Sequence, residues 1–331
     1  MLPVSKKYSY FNDKQVEFLQ GQQMYKVMQG GRGAGKTTTM SHTCYDAVKR
    51  MPGSRTFFAS STYGQILSKT LPAIEKKWQE WGLRRGYHYV VGKRPPRHFR
   101  KPVVPVYSYK NVISFNVGSY IEFMSMDRAD LQRGGSYDGG NIDEACLVKE
   151  KDFHNVLMPS IRDNEVRWRQ AVGNLLHRVC FFTSMPRKAA GRWILKYADK
   201  AIAQPEKFMY LETTALDNIK VLGQAWIDNQ RSILTYLAFQ TEIMNVLLDD
   251  IPDQFYNTYD SDVHLYEDEY IYNDTSRGIQ AKTVKKVRSN DLLELSVDFG
   301  GWFSCGTIWQ EHQGVERCID AIYVKPPKTI F

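Results

Sequence analysis

The sequence predicts an α/β chain organised on a mostly parallel sheet, and three observations carry that prediction. Residues 24–29, a short and mostly apolar run broken by Lys26, lead into the glycine-rich stretch Gly30 Gly31 Arg32 Gly33 Ala34 Gly35 Lys36 Thr37, after which a helical pattern continues to Arg50. The turn Met51 Pro52 Gly53 Ser54 returns the chain to a second strand at 55–59, giving a β-α-β start. Residues 178–182 contain Val-Cys-Phe-Phe, a continuous apolar run of the kind that fills a central parallel strand.

The glycine-rich stretch fits G-x-x-x-x-G-K-[ST] between a strand and a helix, the context in which that pattern forms a phosphate-binding loop. Its glycines let backbone N–H groups turn inward, and the start of the helix adds partial positive charge, so residues 30–37 make a pocket for a polyphosphate such as ATP. Lys36 is placed to reach the β- and γ-phosphates, and Thr37 to put its hydroxyl on Mg²⁺. At average glycine usage the pattern arises by chance in about one chain in a hundred of this length.

A chain of 331 residues is long for one core and suggests one large α/β domain with a second, smaller or incomplete unit. Its hydrophobic content of 43% is that of a folded soluble protein. No apolar run approaches the roughly 18 residues of a membrane span, and no apolar stretch follows Lys6 and Lys7 as in a signal peptide. The expectation is a cytoplasmic protein. Five scattered cysteines, none in C-x-x-C spacing, argue against a disulfide framework or a zinc site. A net charge of +8 points to a polyanionic partner, although charge alone does not separate nucleic acid from solubility.

Taken in order, residues 12–19 read as a short helix. Asn12 caps it, Gln15 completes a capping box, Phe11 and Val16 are spaced for a hydrophobic staple, and Gly21 ends it. With Tyr8 and Phe11 nearby, Gln15 also resembles the adenine-reading amide of nucleic-acid motor ATPases, since an amide pairs with both edges of adenine. The two roles stay open. Residues 63–81 form a helix with Leu67, Leu71, Ile74 and Trp78 at core spacing. Residues 82–101 carry Arg84, Arg85, Lys93, Arg94, Arg97, Arg100 and Lys101 with no acid, and prolines keep them from being helix or central strand. Such an extended positive loop suits DNA phosphates, or is merely solvated. Val112–Phe115 and residues 120–124 pair about a turn at Gly118 Ser119.

Asp143 and Glu144 follow a short strand. One carboxylate would hold Mg²⁺ and the other polarise the attacking water, which is what ATP hydrolysis needs. The strand before them is unusually polar, with Gly139, Gly140 and Asn141 where apolar residues are expected. Thr183 and Ser184, at the carboxyl end of the apolar strand, face the ligand crevice and could sense the γ-phosphate or the attacking water, or else form a plain turn. Residues 193–248 are mainly helical, 249–288 form an acidic then basic connector, and strands at 293–300, 307–309 and 317–324 begin a new domain.

The P-loop with an internal arginine, Arg133 Gly134 ahead of Asp143 Glu144, the Thr183 Ser184 Met185 Pro186 strand end, a helical lid and then Val297 Asp298 Phe299 Gly300 together resemble the large terminase subunit of tailed bacteriophages. The resemblance covers nearly the whole chain. It implies an ATPase of the additional-strand P-loop class at 1–190, a helical lid at 191–250, a connector at 251–290, and at 291–331 the first strands of a ribonuclease H-like nuclease domain within which the chain stops. It assigns Gly30 to Thr37 to the nucleotide, Asp143 to the metal, Glu144 to water activation, Arg32 to γ-phosphate response, Thr183 and Ser184 to coupling, and Arg133 to a neighbouring subunit's site. Asp298 matches the first nuclease carboxylate; Asp320 is no obvious second, so a two-metal site is incomplete here. The family further implies double-stranded DNA, a portal protein and a small terminase subunit as partners, a homo-oligomeric ring that is a pentamer on the portal, and a place in the host cytoplasm docked transiently on the procapsid. A helicase-like or repair ATPase, or a nucleotide-gated DNA- or portal-binding scaffold without useful turnover, remain the alternatives.

Overall fold

The computed structural model describes residues 10–162, 164, 173–247, 292–299, 304–312 and 315–324. The chain divides into two units, Met1–Asp262 and Val263–Phe331. The expected connector at 249–288, and Tyr8, lie outside the described residues.

The first unit is built on an eight-stranded sheet. Helix α1 (Asp13–Gln20) begins at Asn12, whose side chain accepts from Gln15 N while the Gln15 side chain accepts from Asn12 N, the capping box in full. Lys26, in β1 (Tyr25–Gly30), is buried yet donates to the carbonyls of Phe18 and, at 3.0 Å, Gly21, so the charge that breaks the apolar strand caps the end of α1. Helix α2 (Lys36–Arg50) and β2 (Arg55–Ser60) follow as predicted. Residues 63–80 are helical throughout, with a π-helical turn at Ile66–Thr70 ahead of α3 (Leu71–Glu80). Two expectations fail locally. Val16 is exposed, so Phe11 packs on His42 and Trp81 rather than in a staple, and Leu67 is exposed because the extra residue of the π turn rotates it off the buried face.

The sheet continues with β3 (Tyr89–Val91), β4 (Val112–Phe115), β5 (Tyr120–Ser125), β6 (Gly140–Asp143), β7 (Val179–Thr183) and, after α4 (Lys196–Ala203), β8 (Phe208–Thr213). Their order is β3-β4-β5-β2-β6-β7-β1-β8. From β5 to β8 every pairing is parallel, and β3 and β4 form an antiparallel edge. Two findings correct the sequence reading. The basic loop at 82–101 contains the edge strand β3, and the stretch read as mainly helical after Trp193 holds β8, which flanks β1 in the sheet. Strand β8 is only partly buried, so it lacks the apolar signature of a central strand.

Parallel strands alternate their side chains between two covered faces. Met28, Phe58 and Phe182 pack with α1, α2 and Trp78 on one side; Val27, Phe57 and Phe181 pack with Phe153, Trp193 and Tyr197 on the other. This two-sided burial fixes the register, so the ends of β1, β6 and β7 are held together at one edge. Beyond β8, α5 (Gln224–Ile233) and α6 (Tyr236–Glu242) enclose a small core of their own, with Ala215, Ile227, Phe239 and Ile243 buried. No helix of the described residues is long and apolar enough to cross a membrane.

The second unit is a three-stranded antiparallel sheet, β9 (Glu294–Phe299), β10 (Ser304–His312) and β11 (Val315–Val324), with β10 central. These are the three strands that the sequence predicts.

Candidate active site

The loop between β1 and α2 takes its shape from its glycines. Gly35 precedes the first turn of α2 at φ 92°, a left-handed conformation costly for other residues, and a Cβ there would lie 2.6 Å from Gln15 Nε2. A Cβ on Gly31 would come within 2.3 Å of Ile243 O, so glycine there permits close approach by the end of α6. Lys36 Nζ donates to Gly30 O at 2.5 Å and Gly31 O at 3.1 Å. Burial lowers the proton affinity of Lys36, and Glu144 and Asp143 oppose that shift. Thr37 is half-buried in the first turn of α2.

Gln15 has no edge left for adenine. Its Oε1 accepts from Asn12 N at 2.9 Å, and its Nε2 donates to Gly35 O at 3.0 Å and Thr39 Oγ1 at 3.2 Å. The capping role is the one realised, and the same amide ties α1 to the phosphate loop.

Strand β6 delivers Asp143 and Glu144 to the same edge. Its polarity has a packing cause: a Cβ at Gly140 would lie 2.5 Å from the Phe57 ring, and Asn141 accepts from Thr43 Oγ1 at 2.7 Å while donating to Cys44 Sγ at 3.3 Å. Asn141 thus fastens β6 to α2, the helix that starts at Lys36. Burial pushes the Asp143 carboxyl up to about 6, against the pull of the Thr70 hydroxyl, which donates to it at 2.6 Å, and of the nearby Lys36. Glu144 has φ 48° and ψ 55°, left-handed backbone that is uncommon for glutamate and found where surrounding structure enforces it. Ser184 Oγ donates to Glu144 Oε2 at 3.0 Å, across from the end of β7. Thr183 is buried with its hydroxyl committed, accepting from Cys146 N at 3.1 Å and donating to Ser184 O at 2.9 Å, so Ser184 alone of the pair reaches the carboxylate.

Asp138 lies just ahead of β6. It is fully buried and accepts from Arg55 N and Asn164 N, and burial raises its pKa. It braces the opposite end of the strand. Arg133 is exposed, with Nε donating to Asp130 Oδ1 at 2.9 Å and Nη1 to Asn155 O at 3.4 Å. Its guanidinium is not among the groups gathered around Lys36.

Four residues at this edge escape the sequence reading. Thr70 holds Asp143; Asn218 Nδ2 donates to Gly33 O at 2.7 Å; Glu242 O accepts from Arg32 N at 2.6 Å; and the Glu242 carboxylate pairs with both Arg32, at 2.6 Å, and Arg187. None sits at a motif spacing. Arg187 alone carries a signal, being a basic residue just past the Thr183 Ser184 strand end.

In the second unit Asp298 lies in β9 opposite Cys305 of β10. Among the described residues no group of three or more His, Cys, Asp or Glu could hold a metal ion.

The sheet places one strand, β7, between the phosphate-loop strand β1 and the Asp143 Glu144 strand β6, the arrangement that the additional-strand class implies. Superposition decides the wider comparison. The large terminase from a thermophilic bacteriophage aligns over 96% of this chain and 69% of its own, with a TM-score of 0.53 and 17% identity. This chain has the large-terminase fold. Another crystal form of the same phage's large terminase, in complex with ADP, aligns over 95% of this chain and 69% of its own, with a TM-score of 0.51 and 17% identity. No family profile and no curated protein matches the chain by sequence.

Proposed function

We propose that this chain hydrolyses ATP as the motor of a large terminase and thereby drives double-stranded DNA into a viral procapsid. One observation carries the reading: the phosphate loop, Asp143, and a Glu144 held by Ser184 converge at one edge of an additional-strand sheet. The ADP complex of a terminase with this fold supports a nucleotide as the ligand.

In this mechanism the loop N–H groups and Lys36 bind and orient the phosphates. Thr37 and Asp143 supply hard oxygen donors of the kind Mg²⁺ takes alongside phosphate oxygens, so the donor set fits that ion. Bound Mg²⁺ would neutralise charge on the phosphates. Glu144 accepts the proton of the attacking water, and Ser184 fixes its carboxylate for that task. Arg133, exposed and away from its own Lys36, serves a neighbouring subunit in a ring, a pentamer on the portal.

The exposed cations at 93–101 suit the phosphates of the DNA passing through such a ring. Portal protein and a small terminase subunit are the further partners proposed, in the host cytoplasm. Asp298, in β9 of the second unit, is proposed as one metal ligand of a nuclease site.

Steady-state phosphate release with and without double-stranded DNA tests the reading. Wild type should turn over ATP faster with DNA. Lys36→Ala should lose turnover with weakened nucleotide binding, and Glu144→Gln should lose it while retaining ATP. Equal turnover in all three proteins would remove the assignment.

A further inference from the structure

We propose that Glu242 and the γ-phosphate of ATP compete for the same two guanidiniums, Arg32 and Arg187, so that Arg187 is a second triphosphate-sensing cation and Glu242 the residue through which α5 and α6 respond. The proposal rests on the nucleotide reading above.

The two arginines approach from different elements. Arg32 belongs to the phosphate loop, and Arg187 follows the β7 end that carries Ser184; both pair with Glu242. Their side chains are 76% and 62% exposed, whereas that of Glu242 is 19% exposed. The carboxylate is the fixed partner, and the guanidiniums are long, thinly packed arms free to change partner.

Glu242 is poorly placed for its own helix. It is the last residue of α6, where the helix dipole disfavours negative charge, and α6 has no basic residue in its last turn. Its charge is therefore balanced by the two arginines rather than by its helix. One carboxylate against two guanidiniums also leaves a net positive cluster beside the loop. A phosphoryl group, with more charge and three acceptor oxygens, is the better partner for both arms. ADP offers no γ-phosphate and leaves the arms with Glu242.

The segment at 215–243, which holds α5 and α6, is joined to the phosphate loop closely enough to register the exchange. Glu242 O accepts from Arg32 N at 2.6 Å, Asn218 Nδ2 donates to Gly33 O at 2.7 Å, and Ile243 O lies against Gly31. Once the guanidiniums turn to phosphate, the Glu242 carboxylate faces like charge and has lost its counter-ions. Repulsion then acts on α6, which shares its small core with α5.

The test is the ratio of ADP to non-hydrolysable ATP-analogue dissociation constants, read by displacement of a fluorescent nucleotide with Mg²⁺ present. Arg187→Gln should lower the preference for the triphosphate roughly tenfold or more, the worth of a hydrogen bond between charged groups, with ADP affinity within about twofold. Arg187→Lys should recover part of that preference. Glu242→Gln should raise it, because the arms no longer have a competing carboxylate. An unchanged ratio in Arg187→Gln would overturn the proposal, as would parallel weakening of both nucleotides in Glu242→Gln, the behaviour of a simple structural tie. Wild type that binds neither nucleotide would overturn the nucleotide reading itself, and this proposal with it.

Discussion

Ser184 Oγ donates to the Glu144 carboxylate at 3.0 Å, joining the end of β7 to a residue that itself sits in left-handed backbone beyond β6. The bond fixes a side chain whose main chain is already in an uncommon conformation, which is what preorganising a general base requires. Ser184→Ala should therefore lower kcat for ATP by roughly 10- to 100-fold, the value of a hydrogen bond to a charged group, while KM stays near wild type. A change confined to KM would assign Ser184 to binding instead.

The backbone of Glu144 makes a separate prediction about stability. Left-handed backbone costs a side-chain-bearing residue about 1–2 kcal/mol, and glycine escapes that cost at the expense of greater unfolded-state freedom. Glu144→Gly should abolish turnover and raise the melting temperature slightly. A clear fall in melting temperature would show that the conformation is unstrained.

Arg133 supplies the test of assembly. A guanidinium acting on a transferring phosphoryl group is worth about 10³ to 10⁵ in rate. Turnover should rise more steeply than linearly with protein concentration, and mixing inactive Arg133→Ala with inactive Glu144→Gln should restore activity at interfaces that pair an intact arginine with an intact glutamate. A mixture that stays inactive while both variants assemble would place Arg133 in its own subunit's service.

The basic loop can be tested by salt. Arg94, Arg97 and Arg100 are exposed and form no ion pair among the described residues, while Phe99 is buried and Arg100 N donates to Asn116 O, which pins the loop to the sheet edge. Neutralising the three arginines should weaken DNA binding alike for any sequence and reduce the slope of log K against log salt by about three. An unchanged slope would mean that the loop is only solvated.

Lys26 carries a pH dependence. Burial lowers its pKa from the ordinary value of 10.5 to about 8. Between those values the unfolded chain binds the proton and the folded chain does not, so the contribution of Lys26 to stability rises as pH increases from about 8 to 10.5. The melting temperature of wild type relative to Lys26→Met should climb over that window. A flat difference would show that the buried amine keeps its proton.

Much of the site could be read in the chain because its chemistry is local. The phosphate loop, the capping box of Asn12 and Gln15 and the apolar run ending at Thr183 each depend on neighbours within a few residues, and glycine and capping chemistry act at that range. The Asp143 Glu144 pair was legible for the same reason, although its polar strand obscured it.

Tertiary structure alone decided the rest. That Gln15 ties α1 to Gly35, that Asn141 fastens β6 to α2, that Ser184 rather than Thr183 meets Glu144, and that Glu242 gathers Arg32 and Arg187 are all contacts between residues far apart in sequence. The place of β8 beside β1 belongs with them, since a half-buried strand following helices carries no apolar run to announce it. A sequence displays the periodicity and turn chemistry that set each element, but which polar groups meet follows from the register of a sheet buried on both faces, and that register is fixed only when all its strands pack at once.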